Sequence, residues 1–292
     1  MKNLFCILVF VFSCNCYASK NEPAHVIITA GQSNTDGRVP NDRLPDYIKV
    51  MATDTAFTTG AYKYCKIAQN RTDGKFRPYW PKSKRRAKPN TWGYDAVTYY
   101  WLEQMWQEPF YVIKWAIGGT SIEPSTTSDK SVHWSANPEW LANNISTNQK
   151  GRSLLLSFIN NIDGCIDNTL SKLKNGYQID AFLWHQGESD HAHGDKYYEN
   201  LKTVVLYIRN HLSEKTGKDY SELPFIFGTV AKKNKQYGSE VEAAMRRFAK
   251  EDKNVWLIDM SNAELMGDRL HFNQDSAEYL GKQMYERIKA LR

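Results

Sequence analysis

The sequence predicts an α/β protein built on a doubly wound sheet. Two observations carry this. Five short apolar runs, rich in β-branched and aromatic residues, read as strands, and several lack clean polar alternation, as strands covered on both faces do. Helical patterns lie between these runs, and strands alternating with helices build a parallel sheet with helices on its faces.

The elements follow in order. The 292-residue chain opens with Lys2 and the apolar run "LFCILVFVF", then small and polar residues up to Cys16-Tyr17-Ala18. This run is too short to span a bilayer, and its pattern is that of a signal peptide over residues 1–18. The remaining chain, 19–292, is expected to form one domain in a secreted or periplasmic protein. Lipid attachment at Cys14 or Cys16 is the alternative, although Phe12 and Ser13 fit a lipobox poorly. "HVIITA" (25–30) is the first strand, and "AGQSNTDG" (30–37) spills from its end. Residues 35–94 are polar and proline-bearing without periodicity, which marks a functional or partly disordered loop. A helix over 95–106 precedes the second strand, "FYVIKWAI" (110–117). Residues 152–173 place Leu155, Phe158, Ile159 and Ile162 on one helical face ahead of the third strand, "DAFLWH" (180–185). Residues 195–212 repeat the spacing with Tyr198, Leu201, Val205, Ile208 and Leu212 before "PFIFGTV" (224–230). Ser239 and Glu242 form a candidate capping box before "AAMRRFAK", and "NVWLID" (254–259) is the fifth strand. The last helix carries Leu280, Met284, Ile288 and Leu291 on one stripe.

Composition bounds the function. Hydrophobic residues make up 41% and charged residues 24%, an ordinary globular balance. The net charge of +6 is modest and falls by one when residues 1–18 leave, so nucleic acid is not an expected partner. Beyond the signal segment, Cys65 and Cys165 either pair as one disulfide or stay as two thiols.

In open α/β sheets, ligands bind beyond the carboxyl ends of the strands. Those ends here carry "GQSN", "GGTSI" (118–122) and "QGESD" (186–190), and "DRLHFN" (268–273) follows the fifth strand. Ester hydrolysis needs a nucleophile, a base, a group that orients the base, and donors for the oxyanion. Ser33 is the candidate nucleophile and His271 the base. Asp268, three residues before His271, can hold the tautomer that leaves Nε2 open. The N–H groups of Ser33 and Gly119 and the side-chain amide of Gln186 are the candidate oxyanion donors, with Gly118 giving close backbone approach. Gln32 and Asn34 are expected to fix the serine turn. Glu188 and Asp190 could serve as paired glycosidase carboxylates, but are expected to hold the loops together. No metal or cofactor is expected. His191 and His193 beside carboxylates read as surface histidines in preference to a metal site. The stretch "KFRPYWPKSKRRAKP" reads as a solvated basic loop, with Tyr79, Trp80 and Lys84, Arg85 and Arg86 as a candidate sugar rim.

At these four segments the chain resembles the SGNH-hydrolase superfamily. "GQSN", "AIGGTSI", "WHQGESD" and "DRLHFN" are similar to its carbohydrate-esterase branch, the sialate O-acetylesterase and acetylxylan esterase relatives, over roughly residues 25–290. The resemblance implies a flavodoxin-like three-layer α/β/α sandwich, here with five parallel strands. It implies metal-independent removal of acetyl groups from sugars such as acetylated sialic acid or xylan. Ser33, Asp268 and His271 become the triad, with Gly119 and Gln186 completing the oxyanion hole. Relatives often carry methionine after "GQSN", where this chain has Thr35. A non-catalytic sugar-binding module on an inactive scaffold is the rival, opposed by the complete triad. A flavodoxin-like nucleotide site is disfavoured because "AGQSNTDG" lacks the glycine spacings that bring N–H groups to a phosphate.

Overall fold

Five parallel strands form the centre of the molecule: β1 (Ala24–Gly31), β4 (Phe110–Ala116), β5 (Tyr177–His185), β6 (Phe225–Gly228) and β7 (Val255–Ile258). A further pair, β2 (Cys65–Ala68) and β3 (Arg77–Pro78), extends the edge beside β4, giving the order β3-β2-β4-β1-β5-β6-β7. The computed structural model describes residues 22–49, 62–70, 72, 74–81, 90–125, 132–144 and 152–292. The expected signal segment and the Lys84-Arg85-Arg86 cluster lie outside them. No helix among the described residues is long and apolar enough to cross a membrane.

Side-chain alternation along β1 sorts the core into two layers. Val26, Ile28 and Ala30 join the face covered by α3 (Leu154–Asn168), α4 (Gly194–Thr216) and α5 (Ser239–Glu251). Ile27 joins the opposite face, covered by α2 (Tyr94–Trp106) and α6 (Gln274–Ala290). The helical stripes read from sequence are the buried ones: Leu155, Phe158 and Ile162 in α3, and Leu201, Val205 and Ile208 in α4. A two-sided sheet must bury both faces of each strand, which is why these strands lack polar alternation.

Several local expectations are corrected. The sheet has seven strands, not five, because the 35–94 region supplies β2 and β3. That region also pairs Val39–Pro40 antiparallel with Thr91–Trp92 and buries Leu44, Ile48 and Trp92. Elements of two to four residues are too short to show a period. Tyr79 is no sugar rim: it is 5% exposed and packs edge-on against Tyr62 and Tyr99. The α5 N-cap is Gly238, and Glu242 uses its carboxylate on Tyr237 and Arg246 in place of a capping box. Leu291 lies past the end of α6 and is 40% exposed. Cys65 and Cys165 are free buried thiols. They belong to core layers on opposite faces of the sheet, which leaves nothing for a disulfide to join.

Candidate active site

Strand order reverses between β1 and β5, whose helical connections lie on opposite faces. A crevice therefore opens at their carboxyl ends. Ser33 stands there, 4% exposed, as the first residue of the one-turn helix α1 (Ser33–Asp36). The turn needs glycine at position 31. Gly31 has φ +145°, and a Cβ there would lie 2.2 Å from the His185 carbonyl oxygen. Gln32 N–H donates to the His185 carbonyl at 3.0 Å, and the Thr35 hydroxyl donates to the same oxygen at 3.1 Å. Thr35 is thus an anchor beneath Ser33, pinning its turn to the end of β5.

Asn34 joins the segments that sequence had to read separately. Its amide donates to Glu188 Oε1 at 2.8 Å, and its Oδ1 accepts from the Phe272 N–H at 3.1 Å. The residue after Ser33 is therefore bonded to the residue after His271, across 238 positions of chain. Ser33 Oγ makes no hydrogen bond among the described residues, and catalytic contacts in unliganded sites commonly tighten only when substrate binds.

His271 stands in a folded turn after β7. Asp268 Oδ1 accepts the N–H groups of Leu270 (2.9 Å) and His271 (3.0 Å), while Oδ2 takes His271 Nδ1–H at 2.5 Å. Arg269 adopts φ +56° to make this turn. Burial by itself would raise the Asp268 pKa, but these hydrogen bonds and the neighbouring imidazole outweigh it and hold the carboxyl below its usual range. Burial lowers the His271 pKa, and the nearby Arg38 cation adds to this against the pull of Asp268. A neutral imidazole with its Nδ1 proton on Asp268 presents Nε2 as the acceptor.

The loop after β4 faces the serine. A Cβ on Gly118 would meet Arg38 Nη2 at 2.4 Å and Ser33 Cβ at 2.9 Å, so only glycine allows this approach. Gly119 holds φ +70° with nothing within 4 Å of an added Cβ, so its outer side is open. The N–H groups of Ser33 and Gly119 have no acceptor among the described residues.

Gln186 departs from expectation. Its Nε2 lies 3.2 Å from the Thr120 carbonyl and 2.5 Å from Asp190 Oδ2, which accounts for both amide protons. Tyr197 donates to its Oε1 at 3.0 Å. Gln186 is a strut between loops in place of the third oxyanion donor. Asp190 completes the strut, accepting the Ile122 and Glu123 N–H groups at 2.9 Å each, and burial pushes its pKa up to about 6. Glu188 bonds Asn34 and His185. Burial would raise its pKa, yet the His185 side chain and these hydrogen bonds hold it low. Both carboxylates are at most 1% exposed, too enclosed for a glycosidase pair. Gln32 Oε1 accepts the Ser189 N–H at a long 3.4 Å. His191 is exposed, with Nδ1–H on the Glu188 carbonyl at 2.8 Å.

A model of the carbohydrate esterase, sialic acid-specific acetylesterase family matches residues 23–290. The chain belongs to this family. The structure of this esterase is similar to that of a protein from Arabidopsis thaliana (TM-score 0.63, 19% identity, 92% of this chain and 98% of that one). It is also similar to a carbohydrate acetylesterase from Xanthomonas citri (TM-score 0.56, 14% identity, 89% of this chain and 54% of that one). At such identities the likeness is one of fold. A comparison with curated proteins finds no match.

Sequence reasoning missed one charged residue of this candidate site. Arg38, 8% exposed, bonds Asp36 and the Gly37 carbonyl, both at 2.7 Å, and brings its guanidinium against Gly118, the glycine that faces Ser33. Nothing in "TDGRVP" marks it, because its meaning depends on the Gly37 bend that brings it to Gly118.

Proposed function

We propose that the protein is a serine esterase that removes O-acetyl groups from carbohydrate. One observation carries the reading. The Asn34–Phe272 hydrogen bond holds a serine turn beside a histidine already oriented by a carboxylate. Family membership supports deacetylation as the chemistry. Ser33 Oγ attacks the acetyl carbonyl as His271 Nε2 takes its proton. The oxyanion meets the N–H groups of Ser33 and Gly119, each such donor contributing roughly 3–4 kcal/mol in the transition state. The imidazolium, stabilised by Asp268, protonates the departing sugar oxygen. Water, activated by the same His271, then attacks the acetyl-enzyme, releasing acetate and regenerating Ser33. Export through residues 1–18 belongs to the same proposal.

The test is acetate release from acetylated glycans and from an aryl acetate, with Ser33→Ala as control. We expect Ser33→Ala to lose several orders of magnitude in kcat. A serine-directed phosphonate should label Ser33 covalently. Wild-type turnover in Ser33→Ala sinks the assignment.

A further inference from the structure

The loop after β4 also walls a cleft of about 810 Å³ that the reaction as described does not use. This is the size of small-molecule sites, roughly 300–1,000 Å³. Three parts of the chain wall it: Glu123, Pro124 and Ser125 in the loop after β4, the short helix Pro138–Asn143 with its flanks, and the first turns of α4. Trp140 supplies the aromatic surface. It is partly exposed and meets the buried His133 edge-on. Amide side chains surround it. Asn143 and Asn144 donate one bond each to backbone carbonyls of the short helix, which leaves their Oδ1 atoms without a partner among the described residues. Asn200 donates to Glu123 Oε2 and keeps its own oxygen unused among the same residues.

The cleft and the serine share one loop. Gly119 offers its N–H at the oxyanion position, and Glu123 stands four residues on, at most about 14 Å along an extended chain. Asp190 fixes that spacing, because it accepts the Ile122 and Glu123 N–H groups and holds Gln186. A glycan with its ester at Ser33 would reach the cleft within a few sugar units.

Charge selects among glycans. The lining holds four carboxylates, Glu123, Glu139, Asp195 and Glu199, against one ammonium, Lys196. Glu123 is 8% exposed and pinned by Ser125, Asn200 and Lys196. A uronic or sialic acid entering here would meet like charge, an element of rejection as effective in specificity as any attraction.

From these observations we infer that the Trp140 cleft is a subsite for the uncharged chain of an oligosaccharide, with Trp140 as the stacking platform. The inference rests on the assignment of Ser33 as the esterase nucleophile of a glycan substrate. It narrows that glycan to one whose portion beyond the ester is neutral.

Binding separates the two readings. Ser33→Ala protein is titrated with unacetylated xylo- and manno-oligosaccharides of increasing length, and with oligogalacturonate and oligosialic acid. Neutral chains are expected to bind more tightly as they lengthen. Trp140→Ala should weaken that binding about tenfold or more, and Trp140→Phe should recover most of it. Thermal melts check that both variants fold. In the wild-type Ser33 background, Trp140→Ala should raise KM for acetylated oligosaccharides about tenfold more than KM for an aryl acetate, which is too short to span both sites. Tighter binding of an anionic chain, neutral binding indifferent to Trp140→Ala, or no oligosaccharide binding overturns the inference. Neutral binding in a protein that hydrolyses no ester supports the cleft and removes the esterase reading.

Discussion

Asn34 is the residue whose loss should most clearly expose how this site is assembled. Its side chain makes two buried bonds, to Glu188 at 2.8 Å and from the Phe272 N–H at 3.1 Å. Asn34→Ala orphans the Phe272 N–H, which costs about 1–3 kcal/mol. It also strips the Glu188 carboxylate of a donor, a bond to a charged group worth about 1.5–3 kcal/mol. Together these predict a loss of about 2.5–6 kcal/mol, or a melting temperature lower by at least about 5 °C. The catalytic effect comes through position. The Phe272 bond is the tie that sets the His271 turn against the serine turn, and a displacement near 1 Å can cost about 10²-fold in rate. We expect kcat on an aryl acetate to fall 10–100-fold, roughly 1.4–2.7 kcal/mol of barrier, with KM little changed. Steady-state kinetics and a melt, run on the same preparation, measure both. Turnover within twofold of wild type would refute the idea that this bond aligns base and nucleophile.

Other predictions concern the glycines, the base and the thiols. Gly118→Ala forces a Cβ to 2.4 Å from Arg38 Nη2 and 2.9 Å from Ser33 Cβ, so it should nearly abolish turnover. Gly119→Ala meets open space and pays only for its left-handed backbone, about 1–2 kcal/mol, so it should fold and keep more activity. Equal effects of the two would contradict this geometry. As the proposed base His271 must be neutral, and burial lowers its pKa, so the acid limb of kcat/KM should fall at a pH below about 6.5. Removing a neighbouring cation raises an imidazole pKa, so Arg38→Gln should move that limb to higher pH. A pH–rate profile shifted the other way would reject the role given to Arg38. Burial raises both thiol pKa values, so Cys65 and Cys165 should resist labelling in the native protein and both react as free thiols once unfolded.

Much of this molecule is legible along the chain. The five central strands and the helices between them follow from periodicity, because a strand buried on both faces and an amphipathic helix each leave a local pattern. The site segments were legible for a related reason. A doubly wound sheet delivers every strand end to one edge, so polar and glycine-rich residues after strands one, two, three and five had to converge. The Asp268–His271 contact was readable too, since three residues of turn suffice to form it. What sequence could not decide were relations between distant residues. Nothing local assigns the protons of Gln186 to Thr120 and Asp190, brings Arg38 to Gly118, or bonds Asn34 to a residue 238 positions away. Nor does any period betray β2, which finds unpaired backbone groups on the edge of β4, or β3, which in turn pairs with β2. Sequence determined which polar and glycine-rich residues follow the strand ends. Tertiary structure decided which of those groups have hydrogen bonds left to give a substrate, because each donor and acceptor is used once and its partner is known only after the chain has folded.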